Sequence, residues 1–247
     1  MESLGFSALA TTSAGLGFSL GIPDSVGTIS RDLTLCNIRD IVGATSLPVN
    51  ADFQEGFAKS CDELFENIKL CIAAGVAGLS IEDATGDVAE PLFERSIAIE
   101  RMKAARAAID ETGIPVLLTG RCEAWLVGDK NPFETVLDRL VAYADAGADC
   151  LFAPGVKDSG QIQKIVAAVH PKPVNVIISS NAPGLNDQVL GQLGVRRISV
   201  GSALARVAWG AFLKAAKSIK QTGTFDEFSS AAPFDELNKI FSDYQKH

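Results

Sequence analysis

Apolar positions along this chain fall into two alternating rhythms. In one they recur every three or four residues, as a helix with a single buried face requires; in the other they form a short, nearly continuous run. The pair appears four times with glycine between its halves: "CIAAGVAGLSIED", "IDETGIPVLLTGR", "YADAGADCLFAPG" and "GQLGVRRISVGS". Gly75, Gly113, Gly147 and Gly194 stand where each helix has to stop, the position at which glycine takes the left-handed cap without strain. Two further strands, "PVNADF" (48–53) and "PVNVIISS" (173–180), follow proline instead. Helices are predicted over 62–74, 96–111 and 132–146, with Ile97, Ile99, Met102 and Ala105 marking the three- and four-residue steps. A last barrel helix is expected over 203–220 and an additional amphipathic one over Phe234–Tyr244.

Strands that alternate with helices are parallel, and strands apolar almost throughout are buried on both faces. Counting "SALATT" there are seven, and no nucleotide-binding glycine fingerprint follows any of them. That favours an α/β, (β/α)8 TIM-type barrel over an open doubly wound sheet. Seven is one short of eight, and "MESLGF" reads as the tail of a helix, so the expectation is a barrel lacking its first strand and helix. The 247 residues suit one such domain spanning 1–247.

Composition narrows the function. The net charge is −8 with no basic block, which excludes nucleic acid and anionic membranes as natural partners. Five cysteines (Cys36, Cys61, Cys71, Cys122, Cys150) show no metal-ligand spacing and fit a reducing, cytoplasmic setting. The apolar start lacks a basic region and is broken by Gly15, Gly17 and Gly21, so no leader peptide is expected. Only two histidines occur, His170 and His247, so acid–base work falls to carboxylates, Lys, Tyr, Cys or metal-bound water.

Barrels keep their chemistry where strands meet the loops that follow. Those positions hold Thr12, Ser13, Asn50, Asp52, Glu82, Asp83, Arg121, Glu123, Asn175, Ser199 and Ser202. Asp52 and Glu82 without histidine suit a hard cation such as Mg²⁺, which takes one or two carboxylates and several waters. Arg121 suits a substrate carboxylate or phosphonate, gripped through two bonds. Asp83 and Asp87 read as a helix cap or solvated loop acids, and Cys122 as a small packed residue. Glu123 is either a site residue or a salt-bridge partner; Ser199 and Ser202 either cradle a phosphate or cap a helix.

In order, "ALATTSAGLGFSLGIPD", "LPVNADFQEGF", "GLSIED", "LLTGRCEAWLVG" and "RRISVGSALAR" resemble the isocitrate lyase/phosphoenolpyruvate mutase superfamily over essentially the whole chain. The resemblance implies that Asp52 ligates Mg²⁺ directly, that Glu82 holds a metal-bound water, and that Asp24 lies near metal and substrate. It implies a carboxylate pocket made by Thr12, Ser13 and Ala14, with Asn175 also facing substrate. Arg121 would bind the far anionic end, and residues after Glu82 would form a gating loop.

Three departures shape the expected reaction. Gln54 stands where the family usually has an acid. The loop "DATGDVAEPLFE" lacks the Lys-x-Cys-Gly-His unit of isocitrate and methylisocitrate lyases, and lacks the lysine and asparagine of the mutase loop. The family's first strand is missing. The expectation is a Mg²⁺-dependent lyase that cleaves a C–C or C–P bond beside a 2-oxo or 2-hydroxy carboxylate through an enolate. Its partners would be a small carboxylate or phosphonate and further copies of the chain, as a dimer or tetramer. Its rivals are a catalytically impaired binding or assembly barrel and a phosphosugar-binding barrel.

Overall fold

The computed structural model describes residues 1–24 and 27–244, so His247 lies outside the described residues. Seven parallel strands follow one another around one sheet in sequence order: β1 (Leu9–Ala10), β2 (Val49–Asp52), β3 (Gly78–Glu82), β4 (Leu117–Arg121), β5 (Cys150–Phe152), β6 (Val174–Ile177) and β7 (Arg197–Ser199). The sheet curls into a nearly closed α/β barrel. Two helices, α1 (Ser13–Ser19) and α2 (Arg31–Gly43), join β1 to β2. The later connections carry one each: α3 (Cys61–Ala73), α4 (Arg95–Thr112), α5 (Pro132–Asp145), α6 (Ser159–Val169) and α7 (Asp187–Gln192). After β7 come α8 (Ala203–Thr222) and α9 (Phe234–Tyr244). No helix among the described residues is long and apolar enough to cross a membrane.

Helix ends obey local chemistry. Ser60 caps α3 by accepting from the Glu63 N–H at 3.1 Å, and Gly113 ends α4 with φ +66°. "SALATT" yields a strand of two residues, because Thr12 is already the N-cap of α1. The buried stripe of α4 is Ala98, Arg101, Met102, Ala105, Ala108 and Ile109. Ile97 stands one residue, about 100° of helix, outside that stripe and is half exposed, which corrects the expected phase.

Between strands and helices lies the core, where Leu79, Ile81, Leu118 and Leu151 meet Leu64 and Ile68 of α3 and Leu140 and Tyr143 of α5. Gly120 is needed there, since a Cβ would stand 3.0 Å from that of Tyr143. The inward face differs from what doubly buried apolar strands suggested: it is polar and cross-linked. Arg197 of β7 reaches across the barrel, donating to Asn175 Oδ1 at 3.0 Å, Asn50 Oδ1 at 3.1 Å and Thr119 Oγ1 at 3.0 Å. Asn175 in turn donates to Ser199 Oγ at 3.0 Å.

β1 and β7 are the two edges of the sheet, and no pairing joins them among the described residues. The expected gap is therefore present. Ile198 and Val200 are exposed beside it, and α8 buries none of its residues, leaving Leu204, Val207, Trp209, Phe212 and Leu213 in solvent.

Removing the Arg197 guanidinium strands the amide oxygens of Asn50 and Asn175 inside the barrel. Arg197→Met should lower unfolding stability by about 1–3 kcal/mol, chiefly the cost of leaving the buried Asn175 acceptor unpaired, with a smaller share from the half-buried Asn50. Denaturant unfolding measures it, and a loss within error of zero would show that the tie is not structural.

Candidate active site

Strand register assembles the site. β3 and β4 pair so that Glu82 lies opposite Arg121, and Asp52 ends the neighbouring β2. Inward-pointing side chains at those strand ends have to meet. Arg121 Nη1 lies 3.3 Å from Asp52 Oδ1 and 3.1 Å from Glu82 Oε2, while its Nε donates to Glu123. The guanidinium also sits 5.3 Å from the centre of the Phe152 ring, a cation–π distance. Asp52 is fixed at both ends: its N–H donates to Thr11 Oγ1 at 2.9 Å, and its Oδ2 accepts from the Ser13 N–H at 3.1 Å. In front of this cluster is a cavity of about 520 Å³ that Ser13, Asp24, Gln54, Glu82, Arg121 and Glu123 help to line.

Four acids share one arginine here. Burial pushes the Glu82 carboxyl well above the usual carboxylate range; Arg121 pulls it back, and Glu123 and Asp52 raise it further. Glu123 is raised by burial against the pull of Arg121. Asp24 is raised by burial and by Asp52, with Arg121 and Ser13 opposing. Burial works against the Arg121 charge, yet Glu82, Glu123 and Asp52 outweigh it and keep the guanidinium charged.

That imbalance bears on a metal. The donors are all oxygen, the carboxyl groups outnumber the one guanidinium among them, and two of them, Asp52 and Glu82, are held at strand ends where a cation would lie. Among the described residues, no three of His, Cys, Asp and Glu converge as a complete cage. Waters would have to complete the coordination, as is usual for Mg²⁺. The set fits a hard divalent cation at Asp52 and Glu82.

The loop after β3 folds on itself through a bridge between Ala84 and Leu92, and its residues Ala84, Gly86, Asp87, Val88 and Pro91 wall the cavity. Asp83, expected as a cap or solvated acid, is instead buried and anchors this loop. It accepts from Tyr143 Oη at 2.6 Å, Arg139 Nη1 at 3.1 Å and the Glu123 N–H at 2.8 Å. Arg139 also donates to the Phe93 carbonyl at 2.8 Å, closing the loop base. The reason is positional: one residue past the strand end, Asp83 points outward to α5 while Glu82 points inward.

The turn after β2 is strained. Gln54 and Phe57 have φ +49° and +53°, which is costly for side-chain-bearing residues. Asn67 Nδ2 holds it by donating to the carbonyls of Gly56 (2.9 Å) and Phe57 (3.0 Å), and Arg101 donates to the Glu55 carbonyl. The result sets Gln54 on the cavity, its carbonyl accepting from the Glu82 N–H at 3.0 Å. Glu55 is not among the lining residues.

Other expected positions divide. Thr12 caps α1, its hydroxyl accepting from the Gly15 N–H at 3.4 Å, and Ser13 reaches the cavity. Ala14, in the first turn of α1, does not line it. Asn175 lies in the Arg197 layer, bonded to Ser199, and also does not line it. Ser202 is the N-cap residue of α8, without a side-chain cap bond. Glu123 proves to be both salt-bridge partner and cavity residue. Cys122 is fully buried and burial pushes its thiol up, as packing rather than nucleophilic chemistry requires. Asn67, Arg101, Arg139 and Tyr143 were not foreseen, though Arg101 and Arg139 fall in phase with apolar stripes, where a long cation needs a reason to be.

Fold and site define an α/β barrel with a carboxylate–arginine cluster at the carboxyl ends of its strands, where such barrels place their active sites. The family model for phosphoenolpyruvate phosphomutase matches residues 1–220, and the chain belongs to that family, within the isocitrate lyase/phosphoenolpyruvate mutase superfamily. A solved structure of a candidate lyase/mutase from Burkholderia cenocepacia J2315 superimposes with a TM-score of 0.92 at 45% identity, over 97% of this chain and 85% of that one. Oxaloacetate decarboxylase of Rhodopseudomonas palustris (strain BisB5) is 28% identical over 90% of this chain and 75% of its own. For 2-methylisocitrate lyase of Escherichia coli (strain K12) the identity is 29%, over 68% and 57%. Superfamily members are lyases and mutases.

The raised Glu82 carboxyl carries a sign. In the unfolded chain a glutamate titrates near about 4.3, and above that pH it ionises freely while the buried group resists. Glu82 therefore weakens the fold increasingly as pH rises from there towards its folded value. With chelator present, Glu82→Gln should melt at least about 2 °C above wild type at about pH 7.5, and the gap should close near about pH 4. Arg121 keeps Asp52 and Glu123 in the variant, so its charge stays paired. Equal melting temperatures at the higher pH would show that Arg121 fully offsets the burial.

Proposed function

We propose that this chain is a Mg²⁺-dependent lyase that cleaves a carbon–carbon or carbon–phosphorus bond next to a 2-oxo or 2-hydroxy carboxylate, by way of an enolate. The observation that carries this is Arg121 Nη1, bonded at once to Asp52 and Glu82, the two acids that fit the cation. When bound, the cation supplies Lewis-acid stabilisation of the charge that develops on the 2-oxo oxygen. Asp52 and Glu82 would hold the cation, and Arg121, kept by its Nε on Glu123, would offer Nη1 to an anionic substrate group. Cation and anion binding would thereby be coupled through one guanidinium. The Ser13 N–H, bonded to Asp52 in this structure, would orient a carboxylate. Asp24, its carboxyl raised by burial and by Asp52, lines the same cavity.

Bond cleavage is favoured over group migration, because residues 84–94 contribute neither lysine nor asparagine to the cavity. The rival reading, a barrel that binds without turnover, draws support from Gln54, which puts a neutral amide where a further acid would counter the cation. A turnover screen with oxaloacetate, phosphonopyruvate and short 2-hydroxy diacids separates the two.

Calorimetric titration tests the coupled site. Oxalate, an enolpyruvate mimic, should bind only with Mg²⁺ present, and Asp52→Ala should abolish that binding while retaining the wild-type fold. Metal-independent oxalate binding, or normal binding by the variant, would refute the assignment.

We further propose a homo-oligomer, a dimer or tetramer, working in the cytoplasm, where free cysteines are ordinary. Six large apolar residues exposed on α8, Ile219 among them, support association, since a patch of that kind is rare on a monomer. Light scattering should give at least a dimer, and the pair Val207→Asp and Phe212→Asp should dissociate it. A monomeric wild type would refute this.

A further inference from the structure

The cavity in front of Asp52 and Glu82 has a neighbour. A second one, of about 380 Å³, lies among the loops after β4, β5 and β6, and Arg121 and Leu126 line both. Its wall is largely apolar, with Trp125, Val156, Ile177 and Ile178. Gly155, at φ +100°, is what lets the loop after β5 press on Trp125: a Cβ there would stand 2.7 Å from that of the tryptophan. At its rim is Lys157, exposed like Ser180, its Nζ 3.4 Å from Ser180 Oγ and with no carboxylate partner among the described residues.

Charge decides what such a space takes. The first cavity is rich in acids, and Arg121, bonded there to Asp52, Glu82 and Glu123, serves the reacting end of the site. Arg121 and Lys157 are the two cations among the lining residues, so Lys157 is the one with no competing carboxylate. The residues that line the second cavity with these two cations are mostly apolar. An occupant that satisfies all of this has its reacting end at Asp52 and Glu82, an alkyl segment beyond Arg121, and a second anion at the far side.

Resting on the functional reading above, we propose that Lys157, with Ser180, forms a subsite for the second anionic group of the substrate. The substrate class is then a 2-oxo or 2-hydroxy diacid with a longer carbon chain than oxaloacetate. Lys157 sets specificity and takes no part in bond breaking, so its removal acts on the choice of ligand rather than on the chemistry.

Calorimetric titration with Mg²⁺ present, on wild type, Lys157→Met and Lys157→Arg, reads this with three probes. Oxalate is small enough for the first cavity alone. 2-Oxoadipate and 2-oxohexanoate share a chain length and differ in the terminal carboxylate. Wild type should bind 2-oxoadipate at least about threefold tighter than 2-oxohexanoate, the scale of an exposed ion pair. Lys157→Met should lose that preference and keep its oxalate affinity, while Lys157→Arg should keep both. Equal affinity for the two longer acids in wild type, or a preference that survives in Lys157→Met, overturns the proposal. Failure of wild type to bind oxalate counts against the functional reading instead, and is read from a separate titration.

Discussion

Arg121 leaves β4 already beside Glu82, because parallel register pairs those two residues, and its guanidinium then meets Asp52 and Glu123 as well. Withdrawing several carboxylates from water into one small space is costly unless a cation lies among them. One planar group with donors on several sides can face three acids at once, which a lysine ammonium on a flexible stem does less well. The cavity, the turn after β2 and the loop after β3 are all arranged around that cation. Without it the acids would repel one another and the strand ends would lose their common point.

Rigidity is supplied from the helices rather than from the site itself. Asp83 ties the loop after β3 to α5 through Arg139 and Tyr143, and fixes the Glu123 backbone in the same network. Asn67 and Arg101 perform the equivalent task for the strained turn that carries Gln54. Each network keeps a loop in an arrangement it would not hold alone, and each is made by polar residues on otherwise apolar helix faces.

Much of this was legible in the sequence because it follows from periodicity. Gly75, Gly113, Gly147 and Gly194 all take positive φ, and Asp52, Glu82 and Arg121 converge because they end neighbouring strands. What was not legible depends on side-chain direction after regular structure ends. Asp83 follows Glu82 by one residue and serves the opposite layer, and no period extends past the strand to say so. The polar interior was equally hidden: Asn50, Thr119, Asn175 and Arg197 look like isolated polar residues until the barrel curls and brings strands β2, β4, β6 and β7 within reach of one guanidinium.

The order of the sheet also has a kinetic side. Every strand pairs with its sequence neighbour, so each closure spans only the one or two helices between them and its entropic cost is modest. Side-chain contacts reach further, the contact between Arg197 and Asn50 spanning 147 residues. The sheet can thus assemble as a ribbon growing from its longest ladder, β3 with β4, and need not close as a ring. A ribbon yields first at its ends. Fraying at β7 and α8 therefore leaves strands β2 to β4 paired, and with them the acids and the arginine that face the cavity.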